Sequence, residues 1–334
     1  MDTSSHIIIG LGLGALAQVD PVVSGNDTLT QAILIGCVVG SNAPDFDIVY
    51  KLKGEGSYLK NHRSYSHSLP ILPLWALLIF AIIAPIFQNI SYPHLFIWIF
   101  IAVVIHVITD LLNVHGTQVL LPFMRDWISF DLLPLFDPLI IFFHLIGFFC
   151  LLFWEPGTVF LTIYLLLLLY VSFRIFYQWW IKSQLKEHFV HAHSIKLIPK
   201  ASCLTWDVLI ETEEDFLFGQ YFLHSLQIEH SVSKNIDFPE VVQICIDNQT
   251  VNDFLKSTNY AYPFVEKRKS GYWLYWKDLR FRHKKLFPFL SIIYISSDGS
   301  QIYSTYTGWI YSLKQWRKVM KRLKANGLTE RKSI

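Results

Sequence analysis

Charged side chains are scarce in the first half of this 334-residue sequence. Asp, Glu, Lys and Arg together make up 16% of the residues, whereas apolar residues make up 52%. A water-soluble domain usually has about 25% charged residues. Residues 1–181 contain only 6 Lys/Arg and 11 Asp/Glu, and residues 182–334 contain 22 and 15. We therefore expect part of the first half to lie in a membrane. The second half has an excess of basic residues.

Cysteine clusters and a nucleotide-binding loop are also missing, and no cleavable leader is expected. The four cysteines form no CxxC pair, which favours buried free thiols over disulfides or a thiolate metal site. The N-terminus lacks the basic stretch of a signal peptide, so we expect no cleaved leader. The glycines at positions 10, 12 and 14 lack GxGxxG spacing and instead predict close packing of helices.

Long apolar runs are present in place of this charge. Four segments, residues 69–87, 94–112, 135–154 and 159–181, are long enough to cross the roughly 30 Å hydrocarbon core of a bilayer as helices. Two apolar segments of about 12 residues, starting at residues 6 and 29, are short for a complete crossing. The first 181 residues are therefore predicted to form a multi-pass helical membrane domain with four strong spans and two weak N-terminal helices.

The basic residues of the connecting segments predict how this domain is oriented. Four of them lie in the loop at residues 48–68, one lies in the loop at 113–134, and many follow residue 181. The connections at 88–93 and 155–158 have none. Because cytoplasmic loops carry an excess of Lys and Arg, we expect the first two loops and the C-terminal half to face the cytoplasm.

The second half has the composition of a separate, β-rich domain. Residues 182–194 are predicted to be a linker, and residues 195–334 a small, mainly antiparallel β or α+β domain. The candidate strands cover residues 206–211, 216–223, 241–246, 272–278, 289–296 and 301–305. Residues 297–300 predict a turn, and 309–325 a basic amphipathic helix. Such a helix either lies on anionic lipid or covers the sheet with its charges in solvent.

His106 and Asp110 are the sharpest indication of chemistry. They lie four residues apart, so a helix presents them on one face with Cβ atoms about 6 Å apart. An imidazole and a carboxylate placed in this way can bind one divalent ion together. A His–Asp hydrogen bond is the simpler alternative, but polar groups within an apolar run require a strong partner.

More histidines and carboxylates are expected at the same end of the helices. Asp45 and Asp47 follow the second weak helix, and His62 and His67 precede the first strong span. Two Asp and two His form a typical ligand set for zinc, manganese or iron, although capping or surface roles remain open for each. Arg63 could hold an anionic oxygen such as a phosphate, or pair with one of the Asp residues.

Three further residues complete the predicted site. His6 begins the first weak helix and is a candidate metal ligand, and His115 follows Asp110 closely enough to be another ligand or a neighbour of one. Asp137 could hold a ligand imidazole in its tautomer or simply cap the third strong span. His144 is better explained as a buried, hydrogen-bonded histidine.

Residues 1–140 resemble the LexA-regulated, membrane-bound metal-dependent hydrolases of bacterial inner membranes. The resemblance is carried by Met1-Asp2-Thr3 with His6, Pro44-Asp45-Phe46-Asp47, His62-Arg63-Ser64-Tyr65-Ser66-His67-Ser68, and His106 to Asp110 with Asn113 and Gly116-Thr117-Gln118. A longer chain with a C-terminal β domain resembles the Firmicutes-type branch. The order of these motifs also resembles, more distantly, zinc-dependent phospholipase C and P1-type nucleases.

The resemblance implies a metal-dependent hydrolase of the bacterial cytoplasmic membrane. It would make His6, Asp47 or Asp45, His62 or His67, His106, Asp110 and His115 ligands. The second HxxxE or HxxxD pair of the distant relatives is missing, because Phe148 follows His144 by four, so one or two ions are expected. Zinc is the expected metal. Asp45, Arg63 and Asp137 are the expected catalytic residues.

The expected partners are the bilayer and a phospholipid or other phosphoester, with no nucleic acid. The alternative is a non-enzymatic transporter or metal-binding scaffold. A transporter predicts polar residues spread along a path through the spans, whereas here they cluster at one end.

Overall fold

The computed structural model describes residues 1–269, 271–282, 286–299 and 301–330. The chain divides into two compact units that interleave along the sequence. The first unit consists of Met1–Asp47, Arg63–Val208 and Phe218–Glu229. The second consists of Ile48–His62, Leu209–Leu217 and His230–Ile334. The domain boundaries expected at residues 181 and 195 stay a prediction.

Helices make up most of the first unit. They are α1 (Thr3–Leu16), α2 (Pro21–Ser24), α3 (Asp27–Gly40), α5 (Leu72–Ile83), α6 (Tyr92–Leu111), α7 (Pro138–Cys150) and α8 (Pro156–His188), with α4 (Glu55–Asn61) in the second unit. Short polar side chains start several of them. Asp2 accepts a hydrogen bond from the backbone N–H of Ser4, and Asn26 accepts one from Leu29. These caps satisfy amides that have no partner within the helix.

Within the described residues, three helical segments are long and apolar enough to cross a bilayer. They are Asp27–Lys53, Tyr92–Leu111 and Pro156–His188, and the bent pair Ser57–His67 with Leu69–Ile83 would make a fourth. Thr3–Val19 and Pro138–Cys150 are apolar but shorter. The strong span expected at residues 135–154 is thus a shorter helix than predicted, and the one expected at 69–87 has the length of a span only as part of the bent pair. The second weak helix is therefore longer than expected, because a 3₁₀ segment (Ala43–Lys53) continues it beyond Pro44.

Glycine allows α1 and α3 to approach closely. A Cβ atom on Gly10 would lie 2.9 Å from the carbonyl oxygen of Cys37 and 2.9 Å from the Cα of Val38. Both atoms belong to the backbone, so neither could rotate away. The small-residue stripe expected from the sequence thus lies at a helix contact, and it brings the end of α3 next to the start of α1.

The strands form two four-stranded sheets, each with its strands in sequence order. The first contains β1 (Ser194–Pro199), β2 (Thr205–Glu211), β3 (Asp215–Phe222) and β4 (Ser225–Ser233). The second contains β5 (Ala261–Arg268), β6 (Gly271–Asp278), β7 (Phe289–Ile295) and β8 (Ile302–Trp309), and its neighbours pair antiparallel. The predicted fold class, a helical membrane domain followed by a small β-containing domain, is confirmed.

One predicted strand is wrong. Residues 241–246 belong to α9 (Pro239–Ile246), which is followed by α10 (Gln249–Ser257). Val241, Val242 and Cys245 are buried against the second sheet's core, and their spacing matches one face of a helix. Pro239, in the first turn, favours a helix start. This spacing outweighed the β-branched composition that had predicted a strand.

The expected turn between the last two strands joins β7 and β8. Gly299 has a φ of +74°, a conformation that glycine adopts without strain; Ser300 lies outside the described residues. The final helix is α11 (Leu313–Glu330), four residues later than the predicted start. Its apolar residues pack against the second sheet, so the helix covers the sheet, as one of the two roles considered for it requires.

Candidate metal centre

Two His and two Asp side chains meet inside the first unit. His106 and Asp110 lie near the C-terminal end of α6, Asp45 lies in the 3₁₀ segment after α3, and His67 ends a short 3₁₀ turn (Tyr65–His67). One ligand atom from each of the four lies within 4.8 Å of the other three. His67, His106 and Asp110 are fully buried, and the side chain of Asp45 is 20% exposed.

The spacing of these atoms fits one small cation. The Nε2 atoms of His67 and His106 are 3.2 Å apart. Oδ2 of Asp110 lies 3.4 Å from the first and 3.6 Å from the second, and Oδ1 of Asp45 lies 3.6 and 3.8 Å from them. Ligands about 2.0–2.1 Å from a tetrahedral zinc ion are about 3.3–3.4 Å apart. The observed distances are close to these edges, so the donor set fits a divalent metal.

Hydrogen bonds orient both imidazoles towards the same point. Nδ1 of His106 is 2.7 Å from the backbone carbonyl of Ser41, which can only accept, so Nδ1 carries the proton. Nδ1 of His67 is 2.9 Å from Oγ of Ser66, and Ser66 donates to Oδ2 of Asp47 at 2.7 Å. Since the hydroxyl proton goes to Asp47, Ser66 accepts from Nδ1–H of His67. Each Nε2 therefore presents a lone pair, as a metal-binding histidine must.

Asp110 is held by one of its two oxygens. Oδ1 contacts the amino group of Met1, accepts from the guanidinium of Arg63 at 3.1 Å, and accepts from Asn113 at 3.2 Å. Oδ2 has no hydrogen-bond partner among the described residues. A buried carboxylate oxygen without a partner is costly, and a cation between Asp110 and the two histidines would satisfy it.

Arg63 is a buried link between the elements around the site. Its φ is +60°, which turns the chain sharply between α4 and His67. Its backbone N–H donates to Oδ2 of Asp47 at 3.0 Å, and its guanidinium also donates to Oδ1 of Asn113 at 3.0 Å and to the carbonyl of Met1 at 3.3 Å. The structure thus favours the alternative in which Arg63 pairs with an Asp residue.

His6 lies beside this group without being one of the four. Its ring stacks on that of His106, with centroids 3.8 Å apart, and its Nε2 is 3.4 Å from Oδ1 of Asp110. The side chain is fully buried. Neither ring nitrogen has a hydrogen-bond partner within the described part of the chain, so His6 retains its capacity to bind a cation.

The remaining predicted residues lie outside the four-residue group. His62 belongs to the second unit and stacks on Tyr58 with centroids 4.6 Å apart. The backbone N–H of His115 donates to Asn113. Asp137 caps α7 by accepting from the amide of Leu139, and its other oxygen accepts from the hydroxyl of Tyr170 at 2.8 Å. The capping role considered for Asp137 is therefore present.

Sequence reasoning missed two groups that orient the imidazoles. Ser66 lies between Tyr65 and His67 in the sequence. Its position next to a candidate ligand could have indicated that its hydroxyl contacts the His67 ring. Nothing in the sequence could have indicated the role of the Ser41 carbonyl, since every residue has a backbone carbonyl oxygen. Asp45 and Asp47 also differ in place: Asp45 faces both Nε2 atoms, whereas Asp47 reaches His67 through Ser66.

Both parts of the chain are similar to known proteins. Residues 240–320 match the YfhP C-terminal alpha/beta plait domain. The whole chain is similar to "Uncharacterized protein YfhP" of Bacillus subtilis (strain 168), at 33% identity over 329 residues, which is 96% of this chain and 99% of the relative. No solved structure matches. These similarities do not bear on LexA regulation or on phospholipase C. Residues 1–181 match the family described as YdjM inner membrane protein, and the chain belongs to this family of inner membrane proteins.

Proposed function

We propose that this protein is a metal-dependent hydrolase of the inner membrane. The observation that carries the proposal is the convergence of Asp45, His67, His106 and Asp110, whose ligand atoms all lie within 4.8 Å of one another. Both imidazoles in the group have Nδ1 engaged and Nε2 available. Two His and two Asp suit zinc, and also manganese or iron.

We propose one ion, bound at the four-residue group. Nε2 of His6 lies 3.4 Å from Oδ1 of Asp110, but that oxygen already contacts the amino group of Met1 and accepts from Arg63 and Asn113. A second cation at His6 would be repelled by the two positive charges there, so we assign no ion to His6.

The chemistry proposed is hydrolysis of a phosphoester. A bound divalent metal lowers the pKa of water towards about 7 and stabilises charge on the group that is cleaved. Among the four side chains only that of Asp45 has exposed surface, so water and substrate reach the centre on its side. Asp45 is therefore our choice for the residue that handles the water proton. His67, His106 and Asp110 are then the three protein ligands, and the position on the Asp45 side is left to water. Arg63 is assigned to holding Asp110, because its guanidinium is buried against that carboxylate.

A lipid-linked phosphoester is the substrate class that the surroundings favour. Phe46, Tyr65 and Leu69 follow Asp45 or flank His67 in sequence, and each is at least half exposed. Large exposed apolar side chains that neighbour site residues in the sequence suit a substrate with an acyl or polyprenyl tail. The proposal places the C-terminal half in the cytoplasm, as the distribution of basic residues predicts.

The first experiment measures the metal bound to detergent-purified protein. We expect stoichiometric zinc, manganese or iron by elemental analysis, and loss of at least one ion in His106→Ala and in Asp110→Ala. His94 and Asp20 make a matched control, because they form a His–Asp pair at 3.2 Å that is about one-third exposed. Their Ala variants should retain the metal. Absence of stoichiometric metal, or unchanged metal in His106→Ala and Asp110→Ala, would disprove the metal site.

A non-catalytic metal scaffold is the second candidate. Structural zinc sites are usually closed by four protein ligands, whereas catalytic sites keep one position open, and four protein side chains converge here. The two functions differ in one assay. A panel of soluble phosphoesters and phospholipids, tested with metal-loaded protein, should show turnover that His106→Ala abolishes. Full metal occupancy with no turnover on any of these substrates would favour the scaffold.

A further inference from the structure

The final helix has two faces with opposite properties. Trp316, Val319, Met320 and Leu323 pack on the second sheet, and the ring of Trp316 stacks on Tyr275 with centroids 6.0 Å apart. Ser304 also donates a hydrogen bond to the carbonyl of Leu323 at 3.0 Å. The apolar face of α11 is therefore buried within its own unit, and it is not available for insertion between lipid chains.

Over residues 313–324, the other face of α11 is cationic. It carries six exposed basic side chains, Lys314, Arg317, Lys318, Lys321, Arg322 and Lys324. The segment 313–324 contains no Asp or Glu. Among the residues that the structure describes, none of the six forms an ion pair with a carboxylate. Six like charges on about three helical turns repel one another, and an anionic partner would relieve this repulsion.

Two large side chains at the start of the helix indicate the type of partner. Tyr311 is 74% exposed and Leu313 is 63% exposed, next to the first cation of the helix. Aromatic and aliphatic side chains beside Lys and Arg are typical of surfaces that rest in the headgroup region of a bilayer. Polybasic segments close to a membrane domain bind anionic lipid in the same way, and this chain has such a domain.

We propose that the cationic face of α11, with Tyr311 and Leu313 at its end, binds the anionic phospholipid headgroups of a bilayer surface. The contact is peripheral, since the apolar face of the helix stays on the sheet. It holds the second unit against lipid by charge, so its strength depends on the anionic lipid content and on ionic strength. The proposal does not depend on the metal centre or on hydrolysis.

The test uses the full-length protein in nanodiscs of phosphatidylcholine. These are mixed with vesicles of phosphatidylcholine alone or with 30% phosphatidylglycerol, and the protein that sediments with the vesicles is measured. We expect binding only to the anionic vesicles, lost in 1 M salt, where the screening length falls to about 3 Å. Each cation near an anionic surface strengthens binding about fivefold. Replacing Lys314, Arg317 and Lys321 by Gln should therefore weaken binding about a hundredfold.

A matched variant removes three charges elsewhere in the same unit. Lys267, Arg268 and Lys269 are exposed near the end of β5, and their Gln variant should bind as wild type does. Circular dichroism checks that both triple variants are folded, which is expected because Gln is a good helix former and the replaced α11 side chains are exposed. Equal binding to neutral vesicles, or equal weakening by both variants, would overturn the proposal. Retention by random-sequence duplex DNA but not by anionic vesicles would also overturn it and assign the face to nucleic acid.

Discussion

The hydroxyl of Ser66 offers the most direct test of how the metal centre is oriented. It accepts from Nδ1–H of His67 at 2.9 Å and donates to Asp47 at 2.7 Å. In Ser66→Ala, the nearest carboxylate oxygen to Nδ1 is 3.8 Å away, beyond hydrogen-bond distance. Loss of such an outer contact usually weakens metal binding about 10–100-fold, or about 1.4–2.8 kcal/mol. We expect a weakening in this range with the ligand set unchanged.

The assay is a chelator competition titration of purified protein with zinc. Ser66→Thr keeps the hydroxyl and should restore most of the affinity. Ser64→Ala is the matched control, because the Ser64 hydroxyl donates to Gln118 at 2.8 Å and does not contact the His67 ring, while the backbone carbonyl that accepts from the His67 N–H at 3.1 Å is kept in the variant. If Ser66→Ala binds zinc as tightly as the wild type, or if Ser64→Ala weakens binding equally, the argument from the His67–Ser66–Asp47 contacts is refuted.

Two further predictions concern packing and a buried thiol. Gly10→Val should destabilise the first unit by about 3 kcal/mol or prevent its folding, because a Cβ there meets backbone atoms of α3 at 2.9 Å; an unchanged melting temperature in detergent would contradict this. Burial raises the pKa of Cys245 to about 12, so at pH 8 only about one thiol in ten thousand is ionised. Native protein should therefore alkylate slowly at Cys245, faster as the pH rises towards 10 and at once in urea, as followed by mass spectrometry; rapid native labelling at pH 8 would count against the buried position.

The helix that carries His106 and Asp110 could be predicted from the sequence. The apolar run at 94–112 became α6 (Tyr92–Leu111), and the four-residue spacing of His106 and Asp110 placed both on one buried face because helical periodicity is fixed. Two such residues in an apolar helix need a partner, so the pair indicated a site before any tertiary contact was known.

The choice between neighbouring candidates could not be made from the sequence. Asp45 and Asp47 lie in a 3₁₀ segment whose turn differs from that of an α-helix, so their directions could not be assigned from spacing. His62 and His67 are separated by Arg63, whose positive φ interrupts the regular helical spacing between them. A non-glycine residue in this conformation is uncommon, and no pattern in the sequence predicted the positive φ of Arg63.

The four ligands of this group lie in parts of the chain that are synthesised at different times. Asp45 and His67 emerge from the ribosome well before His106 and Asp110, which lie in the last two turns of α6. The full set of donors therefore exists only after α6 has formed and has packed beside α3. Metal binding at this group would therefore come late in the synthesis and folding of the chain. A bound ion would act as a check that the helices were inserted in the right arrangement, and occupancy would distinguish mature molecules from misassembled ones.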